Sequence, residues 1–226
     1  MNGNPPPDCL GDLAILIPAA GMGERLGMGP KAYLELEGRS LVAWLVRKAR
    51  SVAAEVIIAL PPGAPDILPG DGPGCRIIQG GASRQETIDR LVAATTAPWV
   101  LVQDVARPFV STALLRAVAA AARECGCAGA FLQPEVPVAR ILDGVVVEHF
   151  RPDQVGIFQA PQAFERRLLL EVLATAAAEG WSEQSTLQLV LRAGRPVRVV
   201  PGEKTNIKLT TAEDWKQAAS LTECLA

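Results

Sequence analysis

Hydrophobic residues come in short unbroken runs over the first half of the chain, separated by stretches in which they recur every three or four positions. The runs are Leu13–Pro18 (LAILIP), Glu55–Leu60, Cys75–Gln79, Trp99–Gln103 and Ala128–Leu132. Apolar runs of this length mark strands covered on both faces. Between them the period is helical. Ser40 opens a helix to about Val52, with Leu41, Trp44, Leu45 and Ala49 on one face. Ser83 with Glu86 makes a capping box for a helix to about Ala94, and Ser111 or Thr112 caps an alanine-rich helix to about Glu124. Pro61-Pro62-Gly63 ends the second run, and residues 63–74, with four Gly and three Pro, read as loop.

The pattern changes after Leu132. Residues 134–150 alternate polar and apolar around Asp143-Gly144, which predicts a β-hairpin pairing Val138–Leu142 with Val145–His149, an arm leaving the main sheet. The earlier order then resumes. A strand is expected near Val155–Gln159, helices at 163–178 and about 182–192, a strand at Val197–Val200 and a last helix from Thr211. Strands alternating with helices specify an α/β fold with a doubly wound, mostly parallel sheet.

Length and charge narrow the possibilities. The 226 residues suit a single domain containing the 134–150 arm and preceded by a loose Pro-rich tail over 1–11. With 49% hydrophobic and 20% charged residues, the chain can bury a large core. Its 22 basic and 24 acidic side chains leave no global attraction for nucleic acid. No apolar stretch is long enough to span a membrane, and the N-terminus lacks the layout of a signal peptide. Five cysteines without a Cys-x-x-Cys pair read as reduced thiols of a cytoplasmic protein. The single histidine, His149, leaves no zinc cluster and argues against Ser-His-Asp chemistry.

Open α/β sheets bind ligands at the carboxyl ends of their strands, and the chemistry-bearing residues follow those ends. Pro18-Ala19-Ala20-Gly21-Met22-Gly23-Glu24-Arg25-Leu26-Gly27 precedes Pro30-Lys31. Small residues there admit a phosphate chain to the backbone, and Arg25 and Lys31 supply charge. Gly80-Gly81-Ala82-Ser83-Arg84-Gln85-Glu86-Thr87 brings exposed amides to a helix start. Gln103-Asp104-Val105-Ala106-Arg107-Pro108 places an acid, suited to Mg²⁺ or a sugar hydroxyl, beside an arginine suited to phosphate. Lys208 lies in Asn206-Ile207-Lys208-Leu209-Thr210-Thr211-Ala212-Glu213-Asp214, where Thr211 and Asp214 cap the last helix. Phosphate-binding parts around one carboxylate, with no nucleophile triad, suit phosphoryl or nucleotidyl transfer.

In this order and spacing, the segments PAAGMGERLG…PK, GGASRQET, DVARP and NIKLTTAED resemble the 2-C-methyl-D-erythritol 4-phosphate cytidylyltransferases over roughly residues 13–220. The resemblance implies a fold of the nucleotide-diphospho-sugar transferase type and a homodimer with exchanged β-arms. It implies CTP and a small alditol phosphate as reactants, with Mg²⁺ or another divalent cation bridging the triphosphate. Cytosine would lie near Gly80, Gly81 and Thr87, and Arg84 would belong to the same nucleotide site. The phosphates would lie over Pro18, Ala19, Ala20, Gly21, Gly23 and Arg25. Arg25 and Lys31 would stabilise the transition state, and Lys208 would position the acceptor. Asp104 would hold acceptor hydroxyls or the metal shell, and Arg107 the sugar-phosphate end.

Departures from the family pattern fall on the acceptor side. Pro137-Val138 replaces Asp-Thr, and Pro152 takes the place of an arginine, with Arg151 one residue earlier. The acceptor-phosphate role is therefore carried to Arg151, with Arg140 as the other candidate. Ala160-Pro161-Gln162 stands for Thr-Pro-Gln, and Gln184-Ser185-Thr186-Leu187 for a Thr-Asp-acid-Ala segment. Gln103 replaces a common His, and Val105 an Ala. Two other readings stay open: a cytidylyltransferase for another alditol phosphate such as ribitol 5-phosphate, and a nucleotide-binding protein without turnover.

Overall fold

A computed structural model describes residues 9–21, 23, 27–63 and 75–225. The strands and helices run in the order β1 (Leu10–Pro18), β2 (Glu35–Leu36), β3 (Arg39–Ser40), α1 (Leu41–Arg50), β4 (Ala53–Leu60), β5 (Cys75–Gln79), α2 (Arg84–Ala93), β6 (Trp99–Val102) and α3 (Thr112–Cys125). The second half continues with β7 (Cys127–Leu132), β8 (Val138–Leu142), β9 (Val145–Phe150), β10 (Ile157–Glu165), α4 (Arg166–Ala178), α5 (Thr186–Arg192), β11 (Arg198–Pro201) and α6 (Ala212–Ala218). Seven strands form one sheet in the order β11-β7-β10-β6-β1-β4-β5. Every neighbouring pair is parallel except those made by β10, which runs antiparallel between β6 and β7.

The LAILIP run shows why the sheet is covered twice. Leu13, Ile15 and Ile17 join a core with α1 and α3, while Ala14 and Leu16 join the core made with α2, α4 and α5. A strand's side chains alternate between faces, so an unbroken apolar run requires a helix layer on each side.

The expected elements form, with shifted edges. β1 starts at Leu10, where Leu10 pairs with Ala53, so the loose tail is shorter than 1–11; residues 1–8 lie outside the described ones, as does the expected loop from 64 to 74. Ser111, not Thr112, caps α3 through its hydroxyl. Ser83 caps α2, but the Glu86 carboxylate reaches back to the Ala82 amide at 2.8 Å instead of closing the box on Ser83. The larger correction is at β10. The local pattern predicts a helix from 163, but Gln162, Ala163 and Phe164 pair with both β6 and β7, and the helix begins at Arg166. Ladders on both sides override the local helical pattern. The register shift between Phe158 and Gln162 spans Pro161, where a proline is tolerated in a central strand. Residues 182–185 likewise stay outside α5.

β8 and β9 form a separate two-stranded sheet, turned by Asp143 (φ +50°) and Gly144 (φ +80°). Every residue of the two strands except Phe150 is exposed, including Ile141 at 64% and Val145 at 62%. No helix among the described residues is long and apolar enough to cross a membrane.

Candidate active site

A cleft of about 470 Å³ opens at the carboxyl ends of β1, β5 and β6. Its size suits a nucleotide-sized ligand. The first wall is the loop after β1, where Pro18, Ala20, Gly21 and Gly23 line the space. Gly23 sits at φ +71°, and a Cβ there would drive into the Gly29 carbonyl, so only glycine fits. A Cβ on Gly21 would meet nothing within 4 Å, which leaves the backbone open to the cleft. Arg25 lies outside the described residues.

The second wall is the start of α2. Gly81, Arg84 and Thr87 line the cleft, and Gly80 packs behind them, where a Cβ would collide with the Ala20 methyl. The amides expected to be free here are satisfied internally. Gly80 donates to the Leu60 carbonyl (2.8 Å) and Gly81 to the Thr87 hydroxyl (3.0 Å). The Ala19 amide likewise donates to Ala59 at 2.9 Å, and Ala19 is buried outside the cleft. Sheet continuation and side-chain capping claim these donors first, and the Thr87 hydroxyl is itself spent on Gly81 and the Ser83 carbonyl, so the segment contributes shape and the Arg84 side chain more than bare N–H groups.

The charged centre joins distant parts of the chain. Asp104, just beyond β6, accepts from Arg84 through Oδ1 and from Lys208 through Oδ2, each at 3.0 Å. Arg84 also donates to the Thr186 hydroxyl at the start of α5 (3.2 Å). Lys31 donates to the carbonyl of Leu209, the residue after Lys208, at 2.7 Å. Burial alone would raise the Asp104 pKa, but the two cations outweigh it and hold the carboxyl well below the usual carboxylate range. Asp104 is therefore ionised at any neutral pH.

Besides Ala19, the arginines expected at the acceptor end are placed elsewhere. Arg107 does not line the cleft; its guanidinium donates to the Asn206 carbonyl at 2.6 Å and braces the Lys208 loop from behind. Pro108, Phe109 and Val110 turn into the core immediately after it, which draws Arg107 away from the ligand space. Arg151 stands exposed before a short 3₁₀ turn, paired with Asp153 by two bonds of 3.1 Å, and a single chain does not bring it to the cleft. Arg140 is likewise held on the arm by Glu148 at 2.9 Å.

Sequence reasoning misses Thr186 as a partner of Arg84, and it misses a buried carboxamide group of Gln159, Gln162 and Asn206. The signal for the latter is two glutamines inside an otherwise apolar strand. Among the described residues there is no group of three or more His, Cys, Asp or Glu side chains that could hold a metal. Asp104 is the one carboxylate among the described residues lining the cleft. One carboxylate fits a magnesium ion that takes its remaining oxygens from water and substrate phosphates.

A nucleotide-sized cleft at the switch side of a doubly wound sheet, with lysines and an arginine around one carboxylate, has the layout of a nucleotidyl-transferring α/β enzyme. A family model described as IspD, 2-C-methyl-D-erythritol 4-phosphate cytidylyltransferase, matches residues 13–223. The 2-C-methyl-D-erythritol 4-phosphate cytidylyltransferase of Thermus thermophilus is 42% identical over 214 residues, covering 93% of this chain and 97% of the relative. That of Deinococcus radiodurans is 41% identical over 213 residues, covering 92% and 89%. The solved Thermus thermophilus structure superposes with a TM-score of 0.80 at 38% identity, over 93% of this chain and 98% of that one. The 4-diphosphocytidyl-2C-methyl-D-erythritolsynthase of Anaerococcus prevotii gives a TM-score of 0.84 at 26% identity, over 93% and 96%. The chain belongs to the 2-C-methyl-D-erythritol 4-phosphate cytidylyltransferase family.

Proposed function

We propose that the cleft joins CTP to 2-C-methyl-D-erythritol 4-phosphate, forming 4-diphosphocytidyl-2-C-methyl-D-erythritol and pyrophosphate. An oxygen of the acceptor phosphate forms the bond to the α-phosphorus of CTP, and the bond from that phosphorus to the β-phosphate bridging oxygen breaks. The acceptor is already anionic at neutral pH, so the protein needs no base. Its task is to align two anions and neutralise the charge between them. The observation that carries this reading is the closed set Lys31–Leu209, Lys208–Asp104 and Asp104–Arg84, which gathers charge from four separate segments into one cleft.

Lys31 and, from the sequence, Arg25 stabilise the crowded phosphates. Lys208, held against one Asp104 oxygen, turns its remaining N–H groups to the acceptor phosphate, and Arg84 holds the carboxylate in place from its other oxygen. Asp104 is the side chain that would hold Mg²⁺. When bound, Mg²⁺ supplies charge neutralisation across the triphosphate. The arm completes the acceptor side from a second copy of the chain. An isolated two-stranded hairpin is marginal in water, and this one exposes Val138, Ile141, Leu142, Val145, Val146 and Val147. Pairing arms in a homodimer covers those side chains and carries Arg151 toward the partner's cleft. The cysteines, all free in the structure, suit a reducing cytoplasm.

The test is pyrophosphate release with CTP and Mg²⁺, offering 2-C-methyl-D-erythritol 4-phosphate and ribitol 5-phosphate in parallel. Turnover of the first is expected. Turnover of ribitol 5-phosphate alone would mean that the altered arm marks a changed acceptor. Release with neither, despite CTP binding, would point to a different acceptor or to a protein that binds nucleotide without turnover.

A further inference from the structure

Lys208 is useful only if its loop is held in register with Asp104, and the residues that do this lie outside the cleft. Residues 202–209 form no strand or helix of their own. On the far side, Leu209 donates to the Ala106 carbonyl (2.8 Å) and accepts from Lys31. On the near side, the loop closes on β10. The Gln159 Oε1 accepts from the Glu203 amide at 3.2 Å, and its Nε2 donates to the Glu203 carbonyl at 3.0 Å. One side-chain amide thus brackets a single residue's backbone as a neighbouring strand would. Three residues on, Asn206 is fully buried, and its Nδ2 donates to the Ala160 carbonyl at 2.7 Å. A Cβ on Gly202 would collide with the Gln159 Oε1, so loop and carboxamide meet at closest approach.

Gln159 is 5% exposed, on a strand whose core positions are otherwise mostly apolar. A glutamine there carries a desolvation cost that a leucine would avoid unless both its donor and its acceptor are used. Both are used, and on the same loop residue. β10 is antiparallel to its neighbours, so its first residues lie at the carboxyl edge of β7, beside the cleft.

We propose that Gln159 is a positioning residue: its carboxamide, closed on both sides of Glu203, fixes the loop so that Lys208 enters the cleft against Asp104. It touches neither reactant, and its influence on turnover passes through Lys208. This rests on the cytidylyltransferase reading only for its kinetic consequence; the geometric part stands apart from it.

The experiment is a double-mutant cycle. Gln159→Met keeps the length and removes the carboxamide's bonds to Glu203 and its longer one to the Asn206 carbonyl. It should lower kcat about tenfold or more and leave the KM for CTP nearly unchanged, since the nucleotide walls are untouched. In a Lys208→Ala background the same change should cost less than about twofold, because the residue it positions is gone. Losses that multiply in full, or a Gln159→Met enzyme with wild-type turnover, would overturn the proposal. Amide hydrogen exchange gives a second arm that needs no activity. Exchange at Glu203 and Leu209 should quicken in Gln159→Met while Val100–Val102 stay protected, and unchanged exchange at both loop amides also overturns the proposal. Should Gln159→Met not fold, Gln159→Glu, which keeps the acceptor and loses the donor, is read in the same way. A wild-type protein without turnover would defeat the cytidylyltransferase reading, and the exchange arm would still decide the role of Gln159.

Discussion

The cleft and the arm are both expected to handle the reactants, yet they are built in opposite ways. In the cleft, Asp104, Arg84, Lys208 and Lys31 have partners from other segments of the same chain, and Gly23 and Gly80 sit where no larger residue fits. On the arm and just after it, the ion pairs are local, Arg140 with Glu148 and Arg151 with Asp153, and the arm's apolar side chains face outward. Among the described residues, the cleft's charged centre is assembled within one chain and is preorganised before any ligand arrives. The arm has the alternation of a strand pair with a buried face, but none of the described residues covers that face. Preorganised charge explains how a site stabilises a transition state; an uncovered apolar hairpin is the surface that the proposed dimer would bury.

The largest expected effect breaks the cleft. Lys31→Ala should lower kcat by about 10²–10³ while changing the KM for CTP little, since a charge aimed at the transition state acts mainly there. Steady-state kinetics decides this, and a rise in KM with kcat unchanged would remove the role. The next largest breaks the arm. Deleting 138–149 should convert a dimer into a monomer on gel filtration and reduce turnover at least about tenfold. The main thermal transition should persist, because none of those residues is in either core. A fully active monomer would show that the cleft suffices alone.

The two regions are also unequally legible in the sequence. The central parallel strands read clearly because burial on both faces leaves an unbroken apolar run, as in Leu13–Ile17. The arm reads clearly because alternation and Asp143-Gly144 are local signals. β10 is misread beyond Gln159, since its fate depends on ladders to β6 and β7 that no local pattern encodes. Lys31, Arg84, Asp104 and Lys208 are all legible as site residues, and the structure brings them together. Arg107 reads as a ligand contact because arginine beside a strand-end acid suits phosphate. Its attachment to Asn206, ninety-nine residues away, is a tertiary contact invisible to spacing.

Glycine substitutions sharpen the contrast at a smaller scale. Gly80→Ala forces a Cβ into the Ala20 methyl and should cost about 1–3 kcal/mol, read as a lowered Tm with weakened CTP binding. Gly144→Ala meets open space but sits at φ +80°, and should cost about 1–2 kcal/mol locally. That strain should loosen the hairpin without moving the main transition. Equal Tm shifts for both would mean that the arm folds as part of the core. Acid gives a related reading. The pKa of Asp104 is depressed in the folded chain, so its contribution to stability is complete above the usual carboxylate range and is lost only as pH falls through the lower folded value. Asp104→Asn should therefore destabilise the protein at pH 7, and the gap to wild type should narrow toward strongly acidic pH. A constant gap would show that the charge pairing is not its source.

The smallest structural effects belong to Arg140 on the arm and Arg151 just after it, and their smallness makes them informative. Arg140 and Arg151 are 60% and 72% exposed in their ion pairs. Exposed pairs contribute about 0.2–1 kcal/mol, so neither Arg140→Ala nor Arg151→Ala should move the Tm by more than about 4 °C. Any large loss of turnover in these variants then cannot come from unfolding. Arg151→Ala is expected to raise the KM for the acceptor with the KM for CTP unchanged, because its place beside the displaced family arginine puts it at the acceptor end once arms are exchanged. Arg140→Ala is expected to leave both constants near wild type. The reverse outcome would assign the acceptor phosphate to Arg140. Full activity in both variants would mean that Lys208 and the cleft bind the acceptor without help from the arm.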